Sequence, residues 1–207
     1  ISSERLLDEF KKLIKSKNFL KLFKDDFCLE IVSLIFPQFK NINLFKNLNE
    51  FAEQNIRKVD YIILISIMLL DESDNVDYFL FKFNISNADK KRIIFLKNFI
   101  KNKNTKDMYS KKNLWKVFYY NGKETLFDLM YFEIFRSKKY NKKLIDLLHY
   151  FQGKEVPIIP IGPRTLINKY NIIEGKELGE KFKKIENKWV DNNFQISENE
   201  ILQLIKT

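Results

Sequence analysis

Ten residues, 61–70, are apolar almost without interruption; Ser66 and the Tyr61 hydroxyl are the polar exceptions. Such a run has to leave water, yet it is about half of the ~20 residues a helix needs to span a bilayer. It must be enclosed by other parts of the same chain. Its β-branched residues would also suit a buried strand, but no segment of the sequence shows convincing period-two alternation. The run therefore reads as a helix over 60–70, apolar nearly all round, at the centre of a core.

The rest of the chain supplies amphipathic helices to surround it. Leu6, Leu7, Phe10, Leu13 and Ile14 fall on one helical face, with Ser3 as a candidate N-cap. Further helices are expected over 18–23, 27–36 (stopped by Pro37) and 44–56. Ser86 and Asp89 resemble a capping box and open a helix to about 100, followed by a polar loop over 101–110. Helices over 112–120 and 124–135 are separated by Asn121-Gly122 and should form a hairpin; 142–151 is next. Three of the four prolines fall within 157–163, so 152–163 reads as an extended connector. Beyond it lie helices over 165–170 and 176–190, then a terminal one opened by a full capping box, Ser197 to Glu200, with an Ile196–Ile201 staple. The expected fold class is all-α.

One Cys and one His preclude an internal disulfide and an ordinary structural zinc site, which suits a reducing, cytoplasmic compartment. Nothing opens the chain like a signal segment, no membrane partner is expected, and Ile1 in place of Met reads as a piece of something longer. The net charge of +10 is unevenly spread. Residues 1–85 carry 12 basic and 13 acidic residues, 86–123 carry 11 and 2, and 124–207 carry 14 and 12. An AT-rich genome would favour lysine throughout the chain; a local excess is what a polyanion-binding surface requires.

Catalytic signatures are missing. There is no phosphate-binding glycine loop and no Asp-x-Asp pair of the kind that holds Mg²⁺ in nucleotidyl transfer. The adjacent acids Asp25-Asp26 and Asp71-Glu72 sit at helix ends, where capping is the default. His149 reads as a packed or surface helix residue and Cys28 as a small buried hydrophobe. Trp115, Tyr119 and Tyr120 lie beside lysines, where aromatics can stack bases, although Trp115 reads first as core.

Four segments, in order, resemble bacterial tRNA nucleotidyltransferases, the CCA-adding enzymes and related poly(A) polymerases. Ile1-Ser2-Ser3-Glu4-Arg5-Leu6-Leu7-Asp8-Glu9-Phe10 is similar to the start of the family's last neck motif. Asn84 to Arg92 resembles its Leu-Ser-Asn-x-Glu-Arg-Arg pattern, and Tyr119 to Leu129 its Tyr-x-x-Gly-x-Glu-x-x-x-Asp-Leu pattern. Pro157, Pro160, Gly162, Gly175, Gly179, Trp189 and Asp191 to Phe194 resemble the tail of the alphaproteobacterial branch. The chain departs at Pro163-Arg164-Thr165-Leu166 and at Glu174-Gly175-Lys176, where the family has Asp-Leu and Pro-Gly-Pro.

The resemblance implies an organisation: 1–24 the end of a neck, 25–151 a helical body, 152–163 a connector, and 164–207 a helical tail. It implies that the metal site, Mg²⁺ and CTP or ATP belong to an upstream head and neck of the same protein, and that this chain alone adds no nucleotide. The implied partner is tRNA, held by its phosphates while an upstream head adds CCA or A. Candidate RNA-binding cations are Lys90, Lys91, Arg92, Lys97, Lys101, Lys111, Lys112 and Lys116, with a second cluster of Arg136, Lys138, Lys139, Lys142 and Lys143. Lys181 and Lys184 rank lower, each four residues after a glutamate. Arg5 and Glu9 are expected to brace the neck. The rival reading is a helical scaffold or protein-interaction domain whose lysines reflect genome bias.

Overall fold

The computed structural model describes residues 2–71, 73–102 and 107–206. Ile1, Glu72 and the middle of the loop expected over 101–110 therefore lie outside the described residues. Every regular element among them is helical. In chain order these are α1 (Ser3–Lys15), α2 (Phe19–Lys24), α3 (Asp26–Ile35), a 3-10 helix (Ile42–Asn47), α4 (Glu50–Asn55), a second 3-10 turn (Ile56–Lys58), α5 (Tyr61–Leu69), α6 (Asn75–Lys82), α7 (Asn87–Lys101), α8 (Lys111–Arg136), α9 (Lys142–Gln152), α10 (Pro163–Tyr170), α11 (Lys176–Asp191) and α12 (Glu198–Lys206).

The apolar run is α5, and Ile62 through Leu69 are all buried. It starts at Asp60, whose carboxylate accepts the Ile62 amide at 2.9 Å. Its one buried hydroxyl, on Ser66, donates to the Ile62 carbonyl at 2.7 Å, so no polar atom of the helix is stranded. The first 3-10 helix, α1, α7 and α8 pack around it. Phe10, Phe23, Phe36, Phe39, Phe45, Phe79 and Phe83 form a chain of ring contacts at the α1 to α3 end. Helices α1 and α2, expected as the end of a neck, contribute Leu7, Phe10, Ile14, Phe19 and Phe23 to the same core. A smaller cluster, Ile161, Leu166, Ile172, Leu178, Ile185 and Ile201, holds α10 to α12 together.

Local signals account for most element ends. Ser86 accepts the Asp89 amide at 3.1 Å, and Ser197 and Glu200 bond reciprocally at 3.3 and 2.9 Å. Helix α1 is capped by Ser2 rather than Ser3. The helix expected over 44–56 is instead broken into the 3-10 helix and α4. The cause is Asn49: its side-chain oxygen caps Ala52 at 3.0 Å, while its Nδ2 donates to the carbonyls of Ile134 and Ser137 at 2.7 and 2.8 Å. A tertiary clamp on the end of α8 thus sets the start of α4.

Helix α8 is interrupted at Gly122, with φ 82° and ψ 173°, and helix continues on both sides without an intervening loop. Only glycine adopts that conformation without strain. Gly179 lies in the interior of α11 with open space around it and no unusual φ. The two sites should respond with opposite sign. Gly122→Ala should lower stability by about 1–3 kcal/mol although nothing lies within 4 Å of the new methyl. Gly179→Ala should raise it by about 0.4–1 kcal/mol. Urea denaturation of the two variants checks both.

Candidate nucleic-acid interface

The candidate cations lie on α7, on both ends of α8 and on the turn into α9. Folding separates them into two kinds. Arg92 is the clearest of the first kind, and the expectation that it holds phosphate is corrected by its surroundings. Its Nε and Nη2 bond both carboxylate oxygens of Asp128 at 2.5 and 2.7 Å. Its Nη1 lies 3.4 Å from Asp60, 3.8 Å from Asp89 and 3.2 Å from Glu124. The side chain is only 12% exposed. Four carboxylates from α7, α8 and the start of α5 thus surround one guanidinium, which leaves no face for an RNA phosphate.

Burial pushes the Asp128 carboxyl above its ordinary value, and Glu124 and Asp60 add to that; Arg92 opposes them. Burial also acts against the charge on Arg92, but its carboxylate partners more than offset this and hold it protonated. The Tyr61 hydroxyl donates to Asp89 at 2.6 Å and is pushed up by burial first and by that bond second.

Lys97 and Lys116 are of the same kind. Lys97 pairs with Asp77 of α6 at 2.8 Å, and Lys116 with Asp191 of α11 at 2.5 Å. The aromatics of the basic stretch are also engaged. Trp115 packs edge-on against Tyr150, Phe151 and Phe194. Tyr119 donates to Glu186 at 2.7 Å and Tyr120 to Asn187 at 3.0 Å. Trp115 and Tyr119 help seat α11 on α8, whereas Tyr120 bonds α11 while half of it stays exposed. Phe194 closes this cluster from a left-handed backbone conformation, φ 64°, with its amide on the Trp189 carbonyl at 2.8 Å.

The second kind stays outward. Lys91, Lys101, Lys111, Lys112, Lys138, Lys139, Lys142 and Lys143 are exposed, Lys90 and Arg136 half-buried. None makes an ion pair among the described residues. Lys111 lies 3.9 Å from the Tyr150 ring centre and Arg136 5.1 Å from that of Phe132, contacts that orient the cations without neutralising them. Lys111 and Lys112 open α8, and Lys142 and Lys143 open α9; neither helix has an acid in its first turn. Helix N-termini carry partial positive charge and favour acids, so these lysines reinforce that field where it is already positive.

Other expectations fare differently. Glu9 pairs with Lys12 at 2.8 Å, and Arg5 is exposed and makes no ion pair among the described residues. Lys181 pairs with Glu177 at 2.9 Å as expected, but Glu180 faces Lys176 at 3.8 Å instead of Lys184. Cys28 is half-buried at the start of α3, and its thiol is pushed up by its bond with Asp25 and then by burial, the reverse of an activated nucleophile. His149 is exposed on α9. Among the described residues no group of three or more His, Cys, Asp or Glu side chains could hold a metal ion. The carboxylates around Arg92 are committed to Arg92, Tyr61 and Ser86. No described helix is long and apolar enough to cross a membrane.

No protein-family model matches the chain, and no curated protein is similar enough to count as a match.

The Arg92 arrangement predicts a pH signature. Arg92→Gln leaves Asp128 buried without its partner and should cost about 3–5 kcal/mol at neutral pH. A carboxyl whose folded-state pKa is raised favours the fold at low pH, and that contribution is lost as pH rises from its ordinary 3.8 through the raised value. Removing Arg92 raises that value further. The deficit of the variant should therefore shrink on acidification through this window, as measured by denaturant midpoints across pH. A deficit independent of pH would show that Asp128 is not the group left unpaired.

Proposed function

We propose that the chain is an RNA-binding helical region that holds tRNA through its phosphates, as the body and tail of a tRNA nucleotidyltransferase whose chemistry lies in an upstream head. The observation that carries the binding part is the pair of Lys-Lys helix starts, Lys111-Lys112 on α8 and Lys142-Lys143 on α9, unpaired and exposed at two positive helix ends. Each lysine so placed opposes the stability of its own helix by a few tenths of a kcal/mol to about 1 kcal/mol. Together with helix N-terminal amides they make a field suited to polyanion oxygens. The family part rests on the four sequence segments and on the all-helical fold that such a body requires.

A second reading, a protein-interaction domain, has its own support. Phe27, Ile31, Leu34 and Ile35 form an exposed apolar stripe on α3, and Phe81 of α6 is 86% exposed. On that reading the lysines serve solubility only.

The two readings separate in a salt titration of tRNA binding. Lys111→Gln with Lys112→Gln should reduce the slope of log K against log salt by about 2, as should Lys142→Gln with Lys143→Gln. Lys97→Gln and Lys116→Gln, which remove cations already paired to Asp77 and Asp191, should leave the slope unchanged. The two double variants should fold at least as stably as the parent. Slopes that do not distinguish the two groups, or no binding at low salt, would count against RNA recognition.

A further inference from the structure

The end of α8 and the first 3-10 helix enclose a cleft of about 310 Å³, at the small end of the range for ligand pockets. Its wall carries three cations, Lys40, Arg136 and Lys138, together with the amides of Asn43 and Asn47, and no carboxylate lines it. The side chains of Lys40, Asn43, Asn47 and Lys138 make no hydrogen bond or ion pair among the described residues, so their donors are uncommitted. The walls themselves are fixed. Asn41 Nδ2 donates to the Leu70 carbonyl at 2.7 Å and the Asn41 amide to Met68 at 2.9 Å, which ties one wall to the end of α5. Asn49 Nδ2 holds the Ile134 and Ser137 carbonyls at 2.7 and 2.8 Å, which ties the other. Arg136 is further steadied over the Phe132 ring.

Cations near a helix C-terminus ordinarily answer the partial negative charge of the helix end, roughly half an elementary charge. Here three cationic residues line one cleft at a helix end that about half a charge would answer, and two carbonyls of that end already accept from Asn49. The excess calls for an anion. Guanidinium, ammonium and amide donors together, with no competing acid, are the chemistry that recognises tetrahedral phosphate oxygens. We propose that this cleft binds a phosphate group, supplied either by a free nucleotide or by an RNA backbone. The inference extends the RNA reading, because Arg136 and Lys138 belong to the same basic set, while Lys40, Asn43 and Asn47 come from a segment the charge pattern does not mark.

The test is an amide NMR titration of the full chain with adenosine, AMP, inorganic phosphate and a duplex RNA 12-mer. AMP, phosphate or the RNA should move the Asn43 and Asn47 side-chain amides and the Ser137 backbone amide saturably; adenosine should not. Movement by AMP or phosphate identifies a free phosphate ligand, and movement by RNA alone identifies the backbone. Lys40→Gln combined with Lys138→Gln should weaken the active probe about tenfold or more. No saturable shift with any phosphate probe, equal shifts with adenosine, or an unchanged affinity in the double variant would overturn the cleft. The amides of Lys111 and Lys112 report on the RNA reading separately. If RNA moves them and no probe moves the cleft, only the cleft inference fails. If phosphate moves the cleft and RNA moves nothing, only the RNA reading fails.

Discussion

The guanidinium of Arg92 stands where the start of α5, α7 and α8 converge, bonded through two nitrogens to a nearly buried Asp128. A helix as apolar as α5 has no polar face by which its neighbours can find their register. Apolar packing is non-directional, and many rotations of α7 and α8 would cover it comparably well. The Arg92–Asp128 fork is directional and tolerates one rotation only. With that rotation set, Ile93 and Leu96 face α5, and Lys91 on the far side faces water. The basic surface is in this sense a consequence of an acidic centre.

The same logic sorts the lysines. Those with a carboxylate in reach serve as ties: Lys97 to α6 and Lys116 to α11. Those at the starts of α8 and α9 make no ion pair among the described residues, Lys112 acting on Asp191 only at longer range, and stand where a stability-driven sequence would place aspartate or glutamate. Tail and body meet over aromatic rings, with Trp115, Tyr119, Trp189 and Phe194 in mutual edge contact. Those rings are therefore structural, and on the proposed RNA reading recognition falls to charge and shape, as suits the A-form backbone of an RNA helix.

What could be read in advance follows the range of the interaction involved. The all-helical class, the burial of 62–69, the Ser86 and Ser197 caps and the break at Gly122 depend on residues within a few positions of one another, and each is legible in the sequence. The split between the first 3-10 helix and α4 is not, because the decisive partners of Asn49 lie 85 and 88 residues away. Nor is the pairing of Arg92, Lys97 and Lys116, since their acids lie 36, 20 and 75 residues distant. Lys-rich text marks where cations are, but tertiary pairing decides which of them remain available. The starts of α8 and α9 could have been singled out earlier by asking which predicted helices open on lysine without an acid in the first turn.

The central claim is that the unpaired lysines, and not lysines in general, form the RNA-binding surface. Acetylation footprinting of the full chain, read by mass spectrometry with and without tRNA at low salt, addresses it residue by residue. The account predicts protection of Lys91, Lys101, Lys111, Lys112, Lys138, Lys139, Lys142 and Lys143, with the paired Lys12, Lys24 and Lys176 reacting equally in both states. Uniform protection, or protection confined to lysines outside that set, would contradict it.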